Sequence, residues 1–153
     1  MQKYVPNAAQ AALHAIRGQN RVHTFVGGSG TGSTTALLMD PMVNGFTSRP
    51  GHGVYLCSGH SLAKMAMDRV AEEAYITGAV VSRAKMTVTW PSGFESRFVG
   101  FKDDALDAAR ALQSVSLDHV AVDGIELAGG EALHMLRMAV FRRGGRMVSA
   151  SYG

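Results

Sequence analysis

The sequence predicts an α/β fold built on a mainly parallel sheet, and three observations carry that prediction. Short apolar, β-leaning runs alternate with segments whose apolar residues recur at helical spacing. The stretches between successive strands are mostly long enough to hold a helix, which forces parallel pairing. Finally, the first strand runs into a glycine-rich turn from which a helix departs. With 153 residues, 46% hydrophobic and 18% charged, the chain suits one domain, residues 1–153, with a sizeable core.

Taken in order, residues 7–18 read as a helix, with Ala8, Ala9, Ala12, Leu13 and Ile16 at helical spacing, Pro6-Asn7 as its start and Gly18 as its stop. Residues 22–26 form the first strand and lead into Gly27, Gly28, Gly30 and Gly32. A helix over 33–43 follows, with Ala36, Leu37, Leu38, Met39 and Met42 apolar, and Pro41 is expected to kink or end it early. Glycine, proline and serine make 44–53 a loop. Residues 54–58 are a strand in which the lone cysteine, Cys57, reads as a packed residue. Residues 61–76 are a helix closed by Gly78. Met86, Val88 and Trp90 alternate on one face of a strand, which turns through Pro91-Ser92-Gly93 into 94–99 as a β-hairpin. Asp103 and Asp104 open a short helix through Leu112. A strand over 117–123 ends in an acid, a helix covers 131–141, and a last strand covers 146–150.

Composition excludes some function classes. No apolar run approaches the roughly 20 residues of a membrane-spanning helix, and the N-terminus has no apolar signal core, so a cytoplasmic protein is expected. A single cysteine leaves no intrachain disulfide and fits a reducing compartment. The net charge of +3 is too small to argue for nucleic acid by itself. Arg137, Arg142, Arg143 and Arg146 crowd the end of the chain and read as a solvated helix-to-strand corner, with a phosphate-contacting patch as the alternative. The six histidines show no ligand spacing, which leaves Mg²⁺ as the metal to consider.

The glycine-rich turn carries the chemistry. Glycines let backbone N–H groups converge on an anion, and a helix N-terminus adds partial positive charge. Gly27, Gly28, Ser29, Gly30, Thr31, Gly32, Ser33 and Thr34 fit the phosphate-loop pattern G-x-x-x-x-G-K-[ST] except that Ser33 stands at the lysine, and Thr35 continues into the helix. Thr34 then holds the hydroxyl position that binds a metal. The strand Val120-Ala121-Val122-Asp123 ends in a carboxylate suited to hold Mg²⁺, about ninety residues later. Gln10, just upstream of the loop, is placed to hydrogen-bond an adenine edge. A dinucleotide-binding loop is the rival reading, since Gly28, Gly30 and Gly32 look like its fingerprint; that fingerprint needs glycine at 33, where Ser33 stands.

Together these residues resemble the N-terminal ATPase domain of phage terminase large subunits, the DNA-packaging motors. The family's proline and glutamine before the loop match Pro6 and Gln10. Its GGRGSGK[ST] loop matches residues 27–34, its "PNGS" hairpin matches Pro91-Ser92-Gly93-Phe94, and its "vaiDEAE" strand matches 120–126. Its "GGR" plus strand and short Ser/Thr-rich coupling motif match Gly144-Gly145-Arg146 and Ser149, Ala150 and Ser151. The resemblance implies a P-loop NTPase-like three-layer sandwich that binds ATP and Mg²⁺. It further implies a homo-oligomeric ring on the viral portal, with double-stranded DNA and a small terminase subunit as partners in the host cytoplasm. The chain stops at the coupling motif, without the family's C-terminal nuclease domain, and reads either as a whole product or as a fragment.

Three positions depart from the family. Ser29 and Ser33 replace the loop's arginine and lysine, and Gly124 replaces the glutamate that orients the attacking water, leaving Glu126 as the nearby candidate for that role. Loss of the lysine alone should cost several orders of magnitude in rate where catalysis is mostly electrostatic. The readings are therefore a terminase-type ATP-binding domain with impaired hydrolysis, a catalytically silent remnant serving binding or assembly, and a dinucleotide-binding oxidoreductase domain.

Overall fold

A computed structural model describes residues 4–18, 21–26, 32–100, 116–127 and 129–151. Its strands are β1 (Val22–Val26), β2 (Gly51–Cys57), β3 (Val80–Ser82), β4 (Thr87–Thr89), β5 (Phe94–Gly100), β6 (His119–Asp123) and β7 (Arg146–Ser151). Its α-helices are α1 (Ala8–Ala15), α2 (Ser33–Val43), α3 (His60–Ala74) and α4 (Gly130–Phe141). The strands form one mixed sheet in the order β1-β7-β6-β2-β5-β4-β3. From β1 to β5 every pairing is parallel, and β4 and β3 add on antiparallel. The mainly parallel α/β prediction holds. A dinucleotide fold of order 3-2-1-4-5-6 would set β2 beside β1, whereas here β7 and β6 stand between them.

The strands' period of two divides the core between the two faces of the sheet. Val54, Leu56, Val120, Val122 and Met147 pack with Leu136 and Val140 of α4. Tyr55, Cys57, Ala121, Val148 and Ala150 face the other way, toward Leu37 and Met39 of α2 and Met67 and Val70 of α3. Helices thus cover both faces, as a parallel sheet requires. Cys57 is buried in a strand as expected, and burial pushes its thiol pKa up to about 11, so it stays protonated and packed.

Several boundaries differ from the sequence expectation. β2 starts at Gly51, inside the expected loop, because its glycines serve close packing rather than a turn. A Cβ on Gly53 would lie 2.8 Å from Phe94 Cζ, and one on Gly51 would collide with the Asp118 carboxylate. α2 spans 33–43 as expected and continues two residues past Pro41 rather than ending early there. α3 ends at Ala74, whose carbonyl is taken by Thr77 Oγ1 at 2.7 Å, and a 3-10 turn, Tyr75–Thr77, leads to Gly78. The hairpin is present as β4 and β5, and Val88 and Trp90 are buried on one face as read. Met86 lies outside the strand in a left-handed conformation with φ 55, so β4 starts at Thr87, and β3 extends the hairpin to three strands. The helix expected over 103–112 lies outside the described residues.

Helix α1 ends at Ala15, three residues before Gly18, because a side chain from the far end of the chain takes over its last carbonyls. Arg146 donates to Leu13 O at 2.9 Å and to Ile16 O at 2.6 Å. The same guanidinium bonds Asp40 of α2 through Nε at 2.7 Å. Asp40 also receives His119 Nε2 at 2.7 Å and His14 Nδ1 at 2.8 Å, and Tyr4 OH lies 2.8 Å from His14 Nε2. Arg146 therefore departs from the solvated corner expected of its cluster, whereas Arg137, Arg142 and Arg143 are exposed.

Candidate functional site

The parallel pairing brings the ends of β1, β7 and β6 to one edge, where the phosphate-loop pattern and the strand-end acid meet. Residues 27–31 of the loop lie outside the described residues. Gly32 caps α2 with φ 84, a left-handed conformation that glycine adopts without steric cost. Its carbonyl accepts Gln10 Nε2 at 2.9 Å, while Gln10 Oε1 accepts the Asn7 N–H at 2.8 Å in a capping box that starts α1. The buried Gln10 amide thus ties α1 to the loop, and one N–H of its two remains for another acceptor such as a base edge.

A Cβ on Gly32 would come within 2.5 Å of Gln10 Nε2, so Gly32→Ala has to adopt a disfavoured φ and displace that amide. It is expected to cost about 1–2 kcal/mol, read as a lower urea midpoint at unchanged slope.

Beyond Gly32, Ser33 is buried at 5% exposure and Thr34 is exposed. Thr34 Oγ1 donates to Asp123 Oδ2 at 2.8 Å, joining residues far apart in the chain. The same carboxylate oxygen accepts Tyr55 OH at 2.5 Å. α2 is thereby fastened to β6 at both ends, by Thr34 on Asp123 and by Asp40 on His119. Burial pushes the Asp40 carboxyl toward a higher pKa, but hydrogen bonds from His119, His14 and Arg146 outweigh it and hold the group well below the usual carboxylate range.

β7 lies between β1 and β6, so Ser149 and Ala150 of the residues matched to a coupling motif pair with both neighbours, and Ser151 pairs with β1. Ser149 Oγ is 2.9 Å from Thr24 Oγ1, Ala150 pairs with Phe25 and Asp123, and Ser151 pairs with Val26. Gly124 donates to Ala150 O at 3.0 Å and has φ 86. At the position that the resemblance assigns to a water-orienting glutamate, the backbone is therefore left-handed. Glu126 is exposed in the 3-10 turn Ile125–Leu127 that follows.

A cleft of about 410 Å³ is lined by Thr34, Thr35 and Asp123, by Tyr55 and Cys57 of β2, and by Leu62, Met65 and Arg69 of α3. A hydroxyl and a carboxylate side by side at a helix start are hard oxygen donors of the kind Mg²⁺ takes, and the cleft has room for a phosphate chain. Among the described residues no cluster of three or more His, Cys, Asp or Glu side chains could hold a metal on its own. A Mg²⁺ here would therefore have to keep water or phosphate oxygens as its other ligands.

Thr34 and Asp123, both singled out in the sequence, are brought into contact by the fold. Sequence reasoning missed Tyr55 and Arg69, which look like ordinary strand and helix residues until the sheet places them at the cleft.

By sequence the chain matches no family model and no curated protein. Its fold is similar to that of the Thermus phage P74-26 large terminase ATPase domain. An arginine-to-alanine mutant of that domain aligns at TM-score 0.70 and 20% identity over 97% of this chain. The unmutated domain aligns at TM-score 0.65 and 18% identity over 96% of it. This chain spans 65% of the length of either structure. Among the described residues no helix is long and apolar enough to cross a membrane.

Proposed function

We propose that the chain is the ATP-binding core of a terminase-type motor for packaging viral DNA. Loop 27–34 would surround the phosphates, and Thr34 and Asp123 would hold Mg²⁺. The observation that carries this reading is the Thr34–Asp123 hydrogen bond, which sets a helix-start hydroxyl against a strand-end carboxylate. The fold likeness to a large terminase ATPase domain supports the motor context. Double-stranded DNA, a portal, a small terminase subunit and a homo-oligomeric ring belong to this proposal as the partners that context implies.

Mg²⁺, when bound, neutralises charge on the phosphates. The chain's own residues do the rest. Tyr55 and Thr34 orient the Asp123 carboxylate, Gln10 fixes the start of the helix that meets the phosphates, and Ser149–Ser151 connect the loop strand to the Asp123 strand. With serine at 29 and 33, turnover is expected to be slow. Glu126, exposed on the turn after Gly124, is the nearest acid that could orient water, and its distance along the chain from Asp123 is a further reason for slow turnover.

Titration calorimetry with Mg-ATP tests the reading. Micromolar or tighter binding is expected, and Asp123→Ala should weaken it about tenfold or more. Phosphate release that survives Asp123→Ala undiminished would come from a contaminant. The second reading, a silent assembly piece that holds no nucleotide, is favoured by the left-handed backbone at Gly124 and the burial of Ser33. Absence of Mg-ATP binding by the wild type would establish it.

A further inference from the structure

We propose that Arg69 of α3 supplies, from across the cleft, the positive charge that the loop lacks at Ser29 and Ser33, and that it contacts the terminal phosphate of a bound nucleoside triphosphate. The inference rests on the nucleotide reading above and concerns which side chain of this chain answers the phosphate charge. A triphosphate stays anionic even with one Mg²⁺ bound, and a serine hydroxyl offers it a dipole where the usual lysine offers a full charge.

The geometry points to α3. Leu62, Met65, Ala66 and Arg69 all line the cleft beside Thr34 and Asp123, and their spacing of i, i+3, i+4 and i+7 puts them on one helical stripe. Arg69 is the only cation among the described residues that line the cleft. Its neighbour Asp68 is occupied by Arg83, at 2.5 Å. Arg69 itself makes no hydrogen bond or ion pair with any described residue. A planar guanidinium that spends no bond on the described residues, at the end of an apolar stripe and lining the same cleft as a metal-type hydroxyl–carboxylate pair, is suited to a bidentate phosphate contact. The long stem of arginine lies over apolar surface while its head reaches a polar partner, and Leu62 and Met65 supply that surface.

Binding of Mg-ATP and Mg-ADP to wild type, Arg69→Ala, Arg69→Lys and Asp123→Ala tests this by calorimetry, with thermal melts as the check on folding. Arg69→Ala is expected to weaken Mg-ATP about tenfold or more and Mg-ADP much less, so that triphosphate preference collapses while the melting temperature stays put. Arg69→Lys should recover part of the preference, and adding Ser33→Lys to Arg69→Ala should recover it from the loop side of the sequence pattern. Equal losses for both nucleotides, or an unchanged ATP-to-ADP ratio, overturn the assignment. If that happens while wild type binds Mg-ATP and Asp123→Ala does not, the nucleotide reading stands and only Arg69's role falls. A wild type that binds no Mg-ATP overturns both.

Discussion

Replacing Asp40 by alanine is expected to destabilise the domain by about 3–5 kcal/mol, the range for removing one partner of a buried ion pair. Domains of this size are typically stable by only about 5–15 kcal/mol. Asp40 is fully buried, and its two oxygens gather His14, His119 and Arg146 from α1, β6 and β7 onto α2. Alanine leaves those donors facing one another without an anion, and Arg146 keeps a charge at 9% side-chain exposure. A fall in melting temperature of roughly 6–20 °C follows from the usual entropy of unfolding. The damage should reach nucleotide binding as well, because the helix that loses this anchor is the one that presents Thr34.

The same carboxylate gives stability a definite pH dependence. Its folded pKa is held below the unfolded value of about 4, so the folded state favours the ionised form. The stabilisation is fully present above that unfolded value and is lost as pH falls through the lower folded one. Urea midpoints measured from pH 7 down to pH 2 should therefore draw closer together for wild type and Asp40→Ala as the pH falls below about 4. A gap that stays constant over that range would show that the network does not depend on the ionised carboxylate.

This network also marks where the sequence stops being readable. Strand and helix types came through because period two and period 3.6 are local signals, and the strand–glycine–helix junction singled out Thr34, which the fold sets against Asp123. The joining of His14, Asp40, His119 and Arg146 has no local signal. The four residues sit on four elements, at separations set by topology, and each looks ordinary in its own segment. Tyr55 and Arg69 escaped for the same reason, since their meaning comes from the strand order that sets β2 beside β6 and from the face α3 turns to the cleft. The glycines of β2 misled in the opposite direction. Gly51 and Gly53 have the composition of a loop, yet one is glycine to clear the Asp118 carboxylate and the other to clear the Phe94 ring.

Ser33→Lys is expected to tighten Mg-ATP binding by about a hundredfold and to leave turnover well behind. A unit charge about 4 Å from another gains about 4 kcal/mol at an effective dielectric near 20, and about 1.4 kcal/mol is a factor of ten, so a hundredfold remains after part of the gain is lost to desolvation. In the absence of nucleotide the change should cost stability. Ser33 is buried in the first turn of α2, where the helix dipole disfavours a cation, by about 0.3–1 kcal/mol. The variant should thus melt below wild type alone and above it in saturating Mg-ATP, by the linkage of binding to folding. Turnover needs more than affinity. Gly124 holds φ 86 at the position where a glutamate would orient water, and Glu126 lies on the following turn, so binding energy has no matching base to serve. Calorimetry and phosphate release on the same preparation separate the two effects, and Asp123→Ala in the Ser33→Lys background should reverse the binding gain. A dissociation constant unmoved by the lysine would mean that loop 27–34 does not wrap phosphates at all, whatever its spacing.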